Sequence, residues 1–161
     1  MARGGTPAIV ALDAAGVQYR LHEFSAEPTK HGFGQAAAVA LGVELDRVFK
    51  TLIATVDERE HVVAIVPVSG QLSLKDLAAA VHGKRAEMCP PDTAERITGY
   101  VVGGISPFGQ KRSLPVVIDE TSVLFDTIFV SGGRRGLDIE IAPDDLVAVL
   151  EAVTAPIGTD V

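Results

Sequence analysis

The sequence predicts a mixed α/β protein: a twisted, largely antiparallel mixed sheet covered by helices. Three observations predict it. Helical and strand-like segments alternate with short breaks along the whole chain. Two continuous β-rich runs, VFKTLIATV and HVVAIVPV, flank the polar turn DERE, so they should pair antiparallel. Three further strand-like pieces, LPVVID, DTIFVSGG and LDIEIAP, then follow one another, which is not a regular βαβ series.

Taken in order, Thr6-Pro7 opens a helix with a capping hydroxyl and a proline in the first turn, and Gly16 closes it. Val17, Tyr19 and Leu21 alternate with polar residues, as in a half-buried strand. SAEPTKHGFG is loop-like, and Gln35 to Leu41 forms an alanine-rich helix ended by Gly42. After the long hairpin, Ser73 and Asp76 bracket the start of LSLKDLAAAVHG in a weak capping box, with Gly83 at its end. Asp92 or Thr93 caps a shorter helix through Ile97. GGRRG turns the chain between the last two strands, and Pro143 starts a final helix with Leu146, Val149 and Leu150 on one face.

At 161 residues the chain is expected to be one domain, 1–161, burying roughly 70% of the surface of its unfolded form. Nothing approaches the run of about 18 apolar residues that a membrane span needs, and the N-terminus has no sustained apolar stretch of a secretory signal. Cys89 is the single cysteine, which excludes an internal disulfide and fits a reducing, cytoplasmic setting. The net charge of −7 argues against a general nucleic-acid binder and against DNA as a partner. The basic doublets Lys84-Arg85, Lys111-Arg112 and Arg134-Arg135 are solvated loops unless the fold gathers two of them into a local patch.

Several familiar chemistries fail on spacing. Gly104 and Gly109 have Walker spacing, but Gln110 occupies the lysine position, Lys111 arrives one residue late, and Pro107 removes an amide donor. No G-x-G-x-x-G, no G-x-S-x-G, no His-x-x-x-His and no cysteine pair occurs, so neither a bound cofactor nor a metal is expected. Cys89 reads as structural filler. Lys50, inside the apolar VFKTLI, either snorkels from an exposed strand face or points into a pocket where its charge counts for more. Gly103, Gly104 and Ser106 either form a tight turn or line such a pocket with backbone amides, and Ser131 could join them from the next loop.

HGFG at 31–34, FKTL at 49–52, GYVVGGISPFGQK at 99–111, VSGGRRGL at 130–137 and EIAP at 140–143 occur in the order and spacing of the YbaK/EbsC family, which this chain resembles over essentially its whole length. The resemblance implies a bacterial, free-standing Cys-tRNA(Pro)/Cys-tRNA(Cys) deacylase with the fold of the editing domain associated with prolyl-tRNA synthetase. It implies trans-editing of mischarged tRNA at its 3′ aminoacyl end, beside prolyl-tRNA synthetase. It also implies substrate-assisted chemistry, in which the cysteine thiol attacks its own ester, so that no protein nucleophile is needed. On that resemblance Lys50 is the essential lysine, anchoring terminal phosphate or ribose oxygens, with Thr51 as its hydrogen-bonding neighbour. Phe33 walls the pocket, Gly103 and Gly104 bring amides to the carbonyl, Ser131 adds a polar contact, and Asp138 receives the α-amino group. Phe24 stands where some members carry tyrosine, so one hydroxyl contact is missing. Two alternatives stay open: a deacylase for another small residue such as alanine on tRNA(Pro), and a non-catalytic module binding tRNA ends or the synthetase.

Overall fold

The computed structural model describes residues 5–25 and 32–160. In chain order the elements are α1 (Pro7–Ala15), β1 (Arg20–Glu23), α2 (Phe33–Leu41), β2 (Phe49–Val56), β3 (Glu60–Pro67), β4 (Gly70–Leu72), α3 (Leu74–Ala80), β5 (Ala86–Met88), α4 (Pro91–Thr98), β6 (Val116–Asp119), β7 (Ile128–Arg134), β8 (Leu137–Ile141), α5 (Pro143–Leu150), β9 (Val153–Ala155) and β10 (Gly158–Asp160). Short 3₁₀ turns at Leu45–Arg47 and Glu120–Leu124 complete the chain.

The expected mixed α/β class holds, with the strands divided among three ladders. A five-stranded sheet runs β5-β2-β3-β6-β9, a three-stranded one β1-β8-β7, and β10 pairs with β4. Pairing is antiparallel except for β3 with β6 and β6 with β9. A parallel bridge between Val48 and Phe129 joins the two larger ladders at one point. Beyond it no ladder joins β2 to β7, and the site lies at that break.

Local chemistry explains most boundaries. The Thr6 hydroxyl accepts from the Ile9 amide, and Gly16 takes the left-handed conformation that closes α1. The DERE turn carries Asp57 and Glu58 at φ 54° and 57°, a geometry that suits the twist of a tight hairpin. The Asp57 carboxylate stabilises it by accepting from the Lys84 and Arg85 amides, each at 3.0 Å. Only half of the capping box at Ser73 forms: its hydroxyl accepts from the Asp76 amide, while the Ser73 amide donates to the Ile157 carbonyl.

Two starts differ from expectation. α4 begins at Pro91 behind Pro90, and neither Asp92 nor Thr93 caps it; the Asp92 carboxylate binds the adjacent Thr93 amide inside the first turn. α2 begins at Phe33 rather than Gln35, and most of the expected SAEPTKHGFG loop, including His31, lies outside the described residues. The main core lies between the two larger ladders and α1, α4 and α5, built on Leu12, Ile65, Phe108, Ile118, Ile139 and Leu146. Among the described residues no helix is long and apolar enough to cross a membrane.

Candidate active site

A cavity of about 400 Å³ opens where β2 and β7 part. Lys50, Thr51, Gly103, Ser131 and Asp138 line it, with Phe24 and Phe33 in its walls. The elements explain the convergence. β2 contributes Lys50 and Thr51, the β7–β8 hairpin sets Ser131 opposite Asp138 in register, and the 99–111 loop brings Gly103 across the top.

Lys50 and Thr51 are successive strand residues and so leave opposite faces of β2. The cavity sits against the strand's edge, where both faces are reached. Lys50 is half-buried, its ammonium donates to the Gly70 carbonyl at 3.1 Å, and burial holds its pKa below the usual lysine value. An ammonium carries three donors, so this bond leaves capacity for a ligand. Thr51 is buried, and its hydroxyl has no hydrogen-bond partner among the described residues. Such a group costs stability unless something else satisfies it.

Asp138 is 6% exposed, and desolvation pushes its carboxyl up to about 7. A carboxyl in that state can gain or lose its proton near neutrality. The Ser131 hydroxyl accepts from the Gly133 amide at 3.2 Å. Phe24, whose amide donates to the Gly136 carbonyl, presents a ring without a hydroxyl to the cavity.

The 99–111 loop divides its duties differently from the sequence expectation. Gly103, at φ +90°, lies so close to Phe33 that an added Cβ would stand 2.6 Å from its ring. Gly104 does not line the cavity: its amide donates to the Val101 carbonyl, and its Cα packs on the main chain of Arg134. Ser106 is fully buried outside it, its hydroxyl accepting from the Phe108 amide and its carbonyl from Gln110. Those two residues shape the loop rather than the cavity surface.

Among the lining residues that sequence reasoning missed, two carry reactive or charged groups. Arg135 stacks its guanidinium 4.4 Å over the Phe33 ring and donates to the Val102 carbonyl through Nε and Nη2 at 2.9 and 2.7 Å. It therefore straps together the hairpin, α2 and the glycine loop. Its signals in the sequence were the doublet at 134–135 and its place in VSGGRRGL. Cys89, read as filler, is in the cavity wall, and burial pushes its thiol pKa up. A second depression, of about 1100 Å³ and more open, lies on the β1–β8 side; two of its lining groups, Arg47 and Glu140, pair with each other.

The chain belongs to the aminoacyl-tRNA editing domain family, whose model matches residues 27–149. EbsC of Enterococcus faecalis, which carries a provisional name as a Cys-tRNA(Pro)/Cys-tRNA(Cys) deacylase, is 36% identical over 154 residues, 96% of this chain and 93% of its own. ProXp-y of Escherichia coli K12, a multifunctional Ser/Thr-tRNA deacylase, is 27% identical over 89% of this chain and 86% of its own. The proline–tRNA ligase of Maridesulfovibrio salexigens is 32% identical over 111 residues, 69% of this chain and 18% of the ligase. A solved structure assigned as a trans-editing enzyme for prolyl-tRNA synthetase superposes with a TM-score of 0.84 at 23% identity, covering 95% of each chain, which supports the fold.

Proposed function

We propose that this enzyme is a trans-editing deacylase that removes a mischarged small amino acid, cysteine foremost, from tRNA(Pro). The observation that carries the reading is one small cavity holding an ammonium, a lone buried hydroxyl, a glycine loop and a carboxyl, between two aromatic walls. A proline-charging site cannot reject cysteine strongly on size, because such small differences are worth about 1–3 kcal/mol. A second site must sort by another property.

The thiol supplies that property. Its sulfur forms a bond to the ester carbonyl carbon, the carbon–oxygen bond to the ribose breaks, and the thiol proton passes to the departing ribose oxygen. Water then opens the resulting thiolactone to free cysteine. The enzyme's part is placement and charge stabilisation. Lys50 holds the terminal phosphate or ribose oxygens, the Gly103 amide faces the developing oxyanion, Ser131 and Thr51 make polar contacts, and Asp138 receives the α-ammonium.

Purified protein should release cysteine from Cys-tRNA(Pro), and Lys50→Ala should lower kcat/KM by about 100-fold or more. Undiminished activity in that variant would remove Lys50 from the mechanism. A second reading, a hydroxyl amino acid as substrate, draws on the unpartnered Thr51 hydroxyl and on the Ser/Thr activity named for the E. coli relative. Parallel assays on Cys-, Ser- and Ala-tRNA(Pro) separate the two. Serine released as fast as cysteine would sink the thiol route, because a hydroxyl is the poorer nucleophile.

A further inference from the structure

β2 carries an interrupted edge beside the cavity. Towards β3, the Val48 carbonyl accepts from the Val68 amide at 2.8 Å, so Val48 and, by alternation, Lys50, Leu52 and Ala54 turn their main-chain groups inward. The opposite edge belongs to the odd-numbered residues. There the Ile53 carbonyl accepts from the Cys89 amide at 3.0 Å, and the Asp57 amide donates to the Arg85 carbonyl at 2.8 Å. Thr51 shares that outward parity. Yet β5 pairs only as far as Ala54 opposite Met88, with one more bond at Cys89, and Pro90 and Pro91 then carry the chain away into α4. From the other end, β7 meets this strand only at the Val48–Phe129 bridge. Continued by register, Thr51 would face Pro91, which has no amide hydrogen. Among the described residues no strand ladder or bridge engages the outward edge of Thr51.

We propose that this break in the ladder seats the amino-acid part of the substrate opposite Thr51. The substrate's α-ammonium donates to the Thr51 carbonyl oxygen, and the Thr51 amide donates to the ester carbonyl oxygen. The inference rests on the deacylase reading above and adds main-chain groups to it. In an antiparallel hydrogen-bonded pair, two opposite residues exchange both bonds. An aminoacyl ester has the N–Cα–C=O of one residue, which is what a hydrogen-bonded pair with Thr51 requires. The mode is strand addition at its shortest.

The direction follows from the geometry. Running antiparallel, the ester oxygen and the ribose lead towards Phe49 and Lys50. Opposite residues of a ladder share a face, so the amino-acid side chain lies beside the Thr51 side chain and its unpartnered hydroxyl. The ammonium keeps further N–H donors for Asp138. This site recognises what every α-amino acid shares, leaving selection to the surrounding walls.

The test replaces the Thr51 main-chain amide by an ester, incorporating the α-hydroxy analogue of threonine in the full chain. This deletes the N–H and keeps the side chain. The same replacement at Ala54, whose amide faces β3 and which lies outside the cavity, controls for lost strand stability. With Cys-tRNA(Pro), the position-51 ester should lower kcat/KM about tenfold or more, while the position-54 ester stays within about twofold of wild type. Retained activity at position 51 overturns the inference and leaves the deacylase reading standing. A wild-type protein that releases no cysteine overturns both.

Should the position-51 ester not fold, the amide NMR spectrum of the unaltered chain decides. On adding a terminal-adenosine analogue bearing a cysteinyl amide in place of the ester, the Thr51 amide signal should move downfield. A shift at Gly103 with none at Thr51, or no shift in the cavity at all, counts against the edge.

Discussion

Burial lifts the Asp138 carboxyl from an ordinary 3.8 to about 7, so the folded chain holds this proton more tightly than the unfolded chain does. The resulting stabilisation is complete below about pH 4 and is lost as pH rises through about 7. Asp138→Asn keeps the shape and cannot ionise. We expect it to be more stable than wild type at pH 8, by a few kcal/mol at most, and close to it at pH 4; urea denaturation at the two pH values measures this. Function should run the other way. If the carboxylate receives the α-ammonium, kcat/KM for Cys-tRNA(Pro) rises through pH about 7, and that rise disappears in the asparagine variant. A variant that keeps the wild-type pH profile would take Asp138 out of substrate recognition. Stability and activity thus compete at one residue, as they do where a binding site keeps a charge that folding disfavours.

At the scale of elements, α1 is coupled to the site through Thr6. Its hydroxyl accepts from the Ile9 amide as an N-cap and also donates to the Gly132 carbonyl at 2.6 Å, next to Ser131 on β7. Thr6→Ala loses both bonds and should cost about 1–2 kcal/mol, seen as a lower urea midpoint with an unchanged slope. Thr6→Ser should recover most of it; a serine variant as weak as alanine would mean that the methyl group, not the hydroxyl, matters. The caps were among the legible parts of the sequence. Thr6-Pro7, Gly16, Gly42 and Pro143 mark helix ends through chemistry local to a few residues. The β2–β3 hairpin was legible for the same reason. β4, β5, β9 and β10 are three residues each, too short to show a period, and their pairings are set by partners far along the chain. The site divides in the same way. Lys50, Phe33 and Gly103 were named from a family pattern, whereas no periodicity says which amides of a glycine loop face inward. Gly104 and Ser106 were therefore expected in a cavity they do not line. The strand edge at Thr51 was illegible because it depends on where β5 and β7 stop.

For the whole molecule the governing quantity is charge. The chain carries −7, so free tRNA approaches against net repulsion. The basic doublets do little to offset this at the cavity. Arg134 pairs with Glu23 at 2.6 Å, and of the six only Arg135 lines the cavity. Among the described residues, Lys50 and Arg135 are the cations on that surface. Two phosphate contacts to a single-stranded end correspond to a slope of about −1.4 in log affinity against log salt. We therefore expect kcat/KM for Cys-tRNA(Pro) to fall only gently between low and moderate salt. Such shallow electrostatics implies weak capture of free tRNA, and the identity to a proline–tRNA ligase makes that synthetase the partner we propose to deliver the substrate. Adding it should lower KM while kcat changes little, because the chemistry stays within this chain's cavity. A slope of about −5 or steeper, or a KM indifferent to the synthetase, would instead require a phosphate-binding surface on this chain beyond the two cations at its cavity.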